Sequence, residues 1–198
     1  MESESIGAAG DGGSQDSRWL CPTLVVVSGL PATGKTTVSR AAAKRADATY
    51  VRIDTIEDAI VRFAAREDSG EGLHHAVSWG LGYDVAYAIA GDLLRQGAHV
   101  FAECVNPMKI TRDAWRRVAD ATGAYLVEVE LVCSDPAEHE RRATERTVDI
   151  PGLFLPTWAD IQDREYEPWD RPHVVLDTAG TPTEDTIDSL CKALGIGG

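Results

Sequence analysis

Residues 29–36 read GLPATGKT, an unbroken match to the pattern G-x-x-x-x-G-K-[ST]. The six residues just upstream, TLVVVS, are apolar and β-branched, as a buried strand requires. Just downstream, KTTVSRAAAKR is rich in helix formers, so a helix is expected from Lys35 to Arg45. A strand that turns through glycines into a helix is a strong constraint on fold. The glycines permit backbone conformations that turn amide N–H groups inward. Those amides and the helix N-terminus behind them attract phosphate oxygens. Gly29, Pro31, Ala32, Thr33, Gly34, Lys35, Thr36 and Thr37 are therefore the expected nucleotide-binding residues. Lys35 places a charge on the β- and γ-phosphates, the Thr36 hydroxyl is a Mg²⁺ ligand, and Thr37 reaches toward the α-phosphate.

The remaining pattern alternates strand and helix. Strands read at Thr49–Ile53, in AHVFAEC, in AYLVEVELVC and in PHVVLDT. Helices read in TIEDAIVRFAARE, from Val77 to Arg95, in TRDAWRRVADATG with Thr111 as N-cap, in DPAEHERRATER, and in PTEDTIDSLCKAL. In the Val77–Arg95 helix the apolar positions Val85, Ile89 and Leu93 mark the expected buried stripe. Such an order predicts an α/β fold of three layers: a P-loop NTPase of the nucleoside-monophosphate-kinase type, with a five-stranded parallel sheet and a helical lid. Residues 1–19 are expected to be a flexible acidic tail, and 20–198 the domain, with the lid at about 137–170. The stretch TVDIPGLFLPTWADIQDREYEPWDRP is dense in Pro, Trp and acids and reads as lid loop around a short helix at Thr157–Glu165.

Charge and cysteines narrow the function classes. The formal net charge of -13 disfavours nucleic acid and anionic membranes as partners. No apolar run is long enough to span a membrane, and the N-terminal residues carry no apolar signal core. The four cysteines form no Cys-x-x-Cys pair, so reduced thiols in a cytoplasmic protein are expected.

A P-loop alone does not separate a kinase from a GTPase or a motor. No N-K-x-D base-reading segment and no D-x-x-G switch is present. Asp54 closes the second strand, which is expected beside the first, and strand C-termini of an open α/β sheet face the ligand crevice. There an Asp can accept or orient the proton of an attacking hydroxyl, and it can also cap the helix that follows. Glu103 is the acid at the end of the third strand. Arg141, Arg142 and Arg146 on EHERRATER can stabilise the charge of a transferring phosphoryl group, or pair with Glu138, Glu140 and Glu145 on their own helix.

SGLPATGKTT, VRIDTIED, AHVFAECVNPMKITRDAW, LVEVELVCSDPAEHERRATER and DIPGLFLPTWADIQDREYEPW together resemble the bacterial AAA-family-ATPase-like P-loop kinases. That group is related to chloramphenicol phosphotransferase, adenylylsulfate kinase, gluconate kinase and zeta toxins, and the resemblance runs over 22–194. It implies ATP and Mg²⁺ as cofactors and a small hydroxylated molecule as acceptor. It also implies Asp54 as catalytic base, Lys35, Arg142 and Arg146 in catalysis, and Arg141 on the nucleotide. Many relatives have Asp where this chain has Glu103, which is placed with either the metal or the substrate.

For the acceptor, Trp79, Tyr83 and Tyr87 recur at four-residue spacing and form either an aromatic pocket wall or simply core. Asn106 and Lys109 follow the third strand near the same crevice, and Asp177, Thr178 and Gly180 follow the fifth, where such a loop borders the nucleobase. His74 and His75 read as solvated loop residues. Three other activities remain open from sequence: a polynucleotide 5′-hydroxyl kinase, a zeta-like nucleotide-sugar kinase, and an ATP-sensing module without turnover.

Overall fold

A computed structural model describes residues 17–66, 80–147, 149–151, 153 and 155–196. His74, His75 and Trp79 lie outside the described residues. A short 3-10 helix, Ser17–Leu20, leads into five strands: β1 Thr23–Ser28, β2 Thr49–Arg52, β3 Val100–Glu103, β4 Tyr125–Val132 and β5 Val174–Asp177. Seven α-helices are described: α1 Lys35–Arg45, α2 Ile53–Arg66, α3 Leu81–Arg95, α4 Lys109–Thr122, α5 Pro136–Glu145, α6 Trp158–Gln162 and α7 Thr183–Leu194. The indole of Trp19 donates to the Leu194 carbonyl at 2.7 Å, so the expected tail boundary at residue 19 falls inside an ordered element.

All pairings in the sheet are parallel, in the order β2-β3-β1-β4-β5. β1 is buried along its whole length, which explains its unbroken apolar run. Its side chains alternate between two cores. Val25 and Val27 join Phe101, Val129 and Leu131 beneath α1 and α7. Leu24 and Val26 join Val100, Ala102 and Trp115 beneath α3 and α4. These are the three layers expected from the sequence.

Four expectations are corrected. β2 does not neighbour β1, because β3 lies between them. Asp54 does not cap α2 from outside, since Ile53 is already helical and Asp54 sits in the first turn. Thr111 is not the N-cap of α4: Met108 holds that position, and the Thr111 hydroxyl donates to its carbonyl at 2.8 Å. The buried face of α3 is Gly82, Ala86, Ala90 and Leu94, whereas Ile89 is 41% exposed. Small residues win that face because α3 packs closely against its neighbours. A Cβ at Gly82 would stand 2.3 Å from the Glu57 Cγ on α2.

Candidate active site

β1 delivers the chain into the phosphate cradle. Gly29 has φ +136, and a Cβ there would lie 2.2 Å from the Leu131 carbonyl oxygen, so only glycine fits. Ala32 and Gly34 also have positive φ, which turns the loop toward the α1 N-terminus. Thr33 is buried and donates to the Leu30 carbonyl at 2.9 Å. Lys35 is buried as well, with Nζ donating to the same carbonyl at 2.7 Å. Burial pushes the Lys35 pKa down, while Glu103 and Asp54 pull it back up. The Pro31 carbonyl meets His139 Nε2 of α5 at 2.8 Å, which ties the lid helix to the cradle. Thr36 and Thr37 open onto the cavity described below.

The end of β3 supplies the acid beside the cradle. Glu103 is 3% exposed. It accepts from the Thr36 hydroxyl at 2.7 Å on Oε1 and from the Tyr50 phenol on Oε2. The Arg52 Nε lies 4.0 Å from Oε2. In the register of β2 and β3, Arg52 stands opposite Glu103. One carboxylate thus joins the P-loop threonine to the edge strand.

Asp54 projects from the first turn of α2, where Arg52 Nη2 approaches it at 3.2 Å. With the cradle, Glu57 and Glu103, it lines a cavity of about 820 Å³. Burial raises the Glu57 pKa to about 7, the Asp54 charge adds to the rise, and Arg164 opposes it. Arg141, Arg142 and Arg146 line the same cavity but are not equivalent. Arg141 pairs with Glu145 at 2.9 Å and is largely exposed. Arg142 donates to Thr178 Oγ1 and to the Thr178 carbonyl, each at 2.8 Å, and pairs with Glu138 at 2.6 Å. It is thereby fixed toward the loop after β5. Among the described residues Arg146 donates to the Pro156 carbonyl, at 3.5 Å, and its buried Nε has no hydrogen-bond partner. Burial lowers its pKa and the charge of Asp54 opposes that. Arg146 and Asp54 line the same cavity.

The expected aromatic wall is used elsewhere. The Tyr83 hydroxyl accepts from the Asn106 amide at 2.8 Å, and the Tyr87 hydroxyl donates to the Thr111 carbonyl at 3.1 Å with its ring edge-on to Trp115. Neither ring lines the cavity of the P-loop. Asn106 is fully buried, and its amide donates to the Ser28 hydroxyl at 3.0 Å, so it braces the end of β1 rather than facing a ligand. Lys109 is paired with Asp113 at 2.6 Å and Asp170 at 3.2 Å.

Sequence reasoning passed over Tyr50, Arg52, His139 and Asp149, all of which surround the cradle or the cavity. The signal for the first two was period-two alternation, which puts Tyr50 and Arg52 on one face of β2. Arg112 was also missed. It is wholly buried, donates to the carbonyls of Asn106, Pro107, Glu167 and Pro168, and lies 4.4 Å from the Trp169 ring centre. It pins the segment after α6 to the loop after β3.

Comparisons with known proteins agree with this geometry. Residues 24–151 match the family model described as an AAA domain. No match is found among curated proteins. Similar solved structures include a sugar kinase from Janibacter sp. HTCC2649, with TM-score 0.63 and 16% identity over 88% of this chain and 95% of that one. A gluconokinase from Sinorhizobium meliloti 1021 aligns with TM-score 0.57 and 20% identity, covering 87% of this chain and 95% of that chain. The Mycobacterium tuberculosis APS kinase CysC, in complex with AMPPNP and APS, aligns with TM-score 0.58 and 17% identity over 88% and 98%. The shared feature is the P-loop kinase fold.

Proposed function

The chain belongs to the AAA-domain family, and from that premise we propose that it is an ATP-dependent O-phosphotransferase acting on a hydroxyl of a small molecule. The observation that carries this reading is the convergence on one cavity of a phosphate cradle, an acid bonded to the P-loop threonine, a second carboxylate, Asp54, and the lid arginine Arg146.

The residues present suit Mg²⁺ and a nucleoside triphosphate. Thr36 Oγ1 and Glu103 Oε1 are hard oxygen donors 2.7 Å apart, the type Mg²⁺ prefers, and they would hold it directly or through water. Bound there, the ion neutralises charge on the phosphate oxygens. Lys35 exchanges its bond to the Leu30 carbonyl for a phosphate oxygen, without leaving a buried ammonium unpaired. Asp54, partly exposed, accepts the proton of the acceptor hydroxyl as its oxygen bonds to the γ-phosphorus, the bridging P–O bond to the β-phosphate breaks, and ADP leaves. Arg146 lines the same cavity, and its guanidinium would stabilise charge on the transferring group. Arg142, held by Thr178, and Arg141 serve the nucleotide side. An antibiotic or other secondary metabolite is the acceptor class we favour.

The test is to incubate the protein with Mg-ATP and pooled hydroxylated metabolites and antibiotics, and to look by mass spectrometry for a compound that gains one phosphoryl group. Asp54→Asn is the control. Its turnover should fall about 10²–10⁴-fold, the usual contribution of a general base. Its nucleotide affinity should stay within about threefold, since only a partly exposed charge is lost. Nucleotide binding with no phosphorylated product, or equal loss of both properties in Asp54→Asn, would sink the reading.

A further inference from the structure

We infer that Arg40 and Arg52 form an oxyanion subsite beside Asp54, filled in the free protein by the chain's own Asp149, and that the acceptor carries a carboxylate, sulfate or phosphate group besides its reactive hydroxyl. The acceptor half of this inference rests on the kinase reading, whereas the subsite itself does not.

Three elements meet here. Arg40 comes from α1, Arg52 from the end of β2, and Asp149 from the segment after α5; all three line the cavity that holds Lys35 and Asp54. The Asp149 carboxylate straddles the two guanidinium groups. Its Oδ2 accepts from Arg40 Nη2 at 2.6 Å and its Oδ1 from Arg52 Nη1 at 2.7 Å. Any group with two oxygens on one central atom can repeat that bridge.

The two arginines differ in a way that a plain surface ion pair does not explain. The Arg52 side chain is 7% exposed, while those of Arg40 and Asp149 are 53% and 48% exposed. A guanidinium buried to that degree demands a fixed set of acceptors. Arg52 is short of them among the described residues: Nη2 reaches Asp54 only at 3.2 Å, and the buried Nε has no hydrogen-bond partner, with the Glu103 carboxylate 4.0 Å away. Its best acceptor is a half-exposed carboxylate outside any helix or strand. Asp149 is thus an internal ligand of a core cation. When an external oxyanion arrives, Asp149 returns to water while Arg52 stays paired, and no buried charge is uncovered. The pair of arginines keeps the Asp149 carboxyl low, at about 2, so the internal ligand is an anion throughout the physiological range.

The position gives the subsite its use. Arg52 contacts Asp54, so a group bound between Arg40 and Arg52 lies next to the proposed base. An acceptor anchored there presents its hydroxyl to Asp54, and productive orientation follows from a two-point hold.

An internal ligand lowers the apparent affinity of an external one by the fraction of sites it leaves open. Removing it should therefore expose the subsite. The experiment is calorimetric titration with inorganic sulfate, in the presence of a saturating non-hydrolysable ATP analogue so that the cradle takes no sulfate. Asp149→Ala should bind sulfate about tenfold more tightly than the wild type, as expected when a partly screened competitor is removed. Adding Arg40→Ala in the Asp149→Ala background should abolish that gain; Arg40 is exposed, so the double variant keeps its fold, as a thermal melt verifies. No gain in Asp149→Ala, or a gain that survives Arg40→Ala, overturns the subsite. Failure of the wild type to bind the analogue counts against the kinase reading and leaves the Arg40-dependent difference readable. An acceptor identified by the mass-spectrometric screen that bears no oxyanion overturns the second half.

Discussion

Replacing Glu57 by glutamine should make the protein more stable at neutral pH and leave it unchanged in acid. Glu57 sits half-buried on α2, packed over Gly82 and three residues from Asp54. Its carboxyl has a pKa of about 7, against an ordinary value of 4.5. Between those values the unfolded chain has released the proton while the folded chain still holds it. Folded protein then binds more protons than unfolded, so this group's contribution is complete below about pH 4.5 and is lost as pH rises to about 7. At 1.36 kcal/mol per tenfold change in proton affinity, the ceiling is about 3 kcal/mol. Solvent reaching a half-buried carboxylate reduces this to about 1–2 kcal/mol. Urea unfolding of wild type and Glu57→Gln at several pH values reads the difference directly, because every other titrating group is shared. The gain in Glu57→Gln should be near zero at pH 4.5, grow to about 1–2 kcal/mol by pH 7.5, and stay level above that. A difference that is flat with pH would refute the claim that burial beside Asp54 holds this proton.

Gly29→Ala should cost at least about 2 kcal/mol and weaken nucleotide binding, because strain at positive φ adds to a clash with the Leu131 backbone. Gly34→Ala meets nothing within 4 Å, so it should cost about 1–2 kcal/mol from φ alone; thermal melts that rank the two the other way would contradict the cradle geometry. Tyr50→Phe removes the phenol that holds Glu103, so the Mg²⁺ concentration needed for tight binding of a non-hydrolysable ATP analogue should rise about tenfold; an unchanged midpoint would show that Glu103 needs no such support.

Local chemistry was legible in the chain, and long-range placement was not. β1 and α1 were read at their observed bounds, because TLVVVS and the glycines around Lys35 leave one conformation available. α5 begins at Pro136, within the DPAEHERRATER pattern read as helix, with the Asp135 side chain accepting from the Ala137 and Glu138 amides. Asp54, Glu103 and Arg146 could be named from strand ends and helix spacing. That Arg142 is drawn toward Thr178, a residue 36 positions on, could not. Apolar size misled on α3: Val85, Ile89 and Leu93 look like the core face, but close helix packing selected Gly82, Ala86 and Ala90. Tyr83 and Tyr87 have the amphipathic form of a pocket wall, yet the Asn106 amide and the Thr111 carbonyl claim their hydroxyls. Tyr50 and Arg52 acquire meaning only when β2 is known to lie against β3 in the register that sets Arg52 opposite Glu103.

That strand order works as a ruler. The phosphate cradle hangs from β1, Glu103 from β3 and Asp54 from the turn after β2, three neighbours in one sheet. Parallel strands are spaced about 4.8 Å apart by their backbone hydrogen bonds, whatever side chains they carry. The cradle, Glu103 and Asp54 are therefore graduated across two strand spacings by main-chain geometry. Substitutions in either core leave those graduations in place. The outer mark, Asp54, follows an edge strand that pairs on one side only, so the proposed acceptor end is the one whose surroundings can change while the cradle keeps its scale.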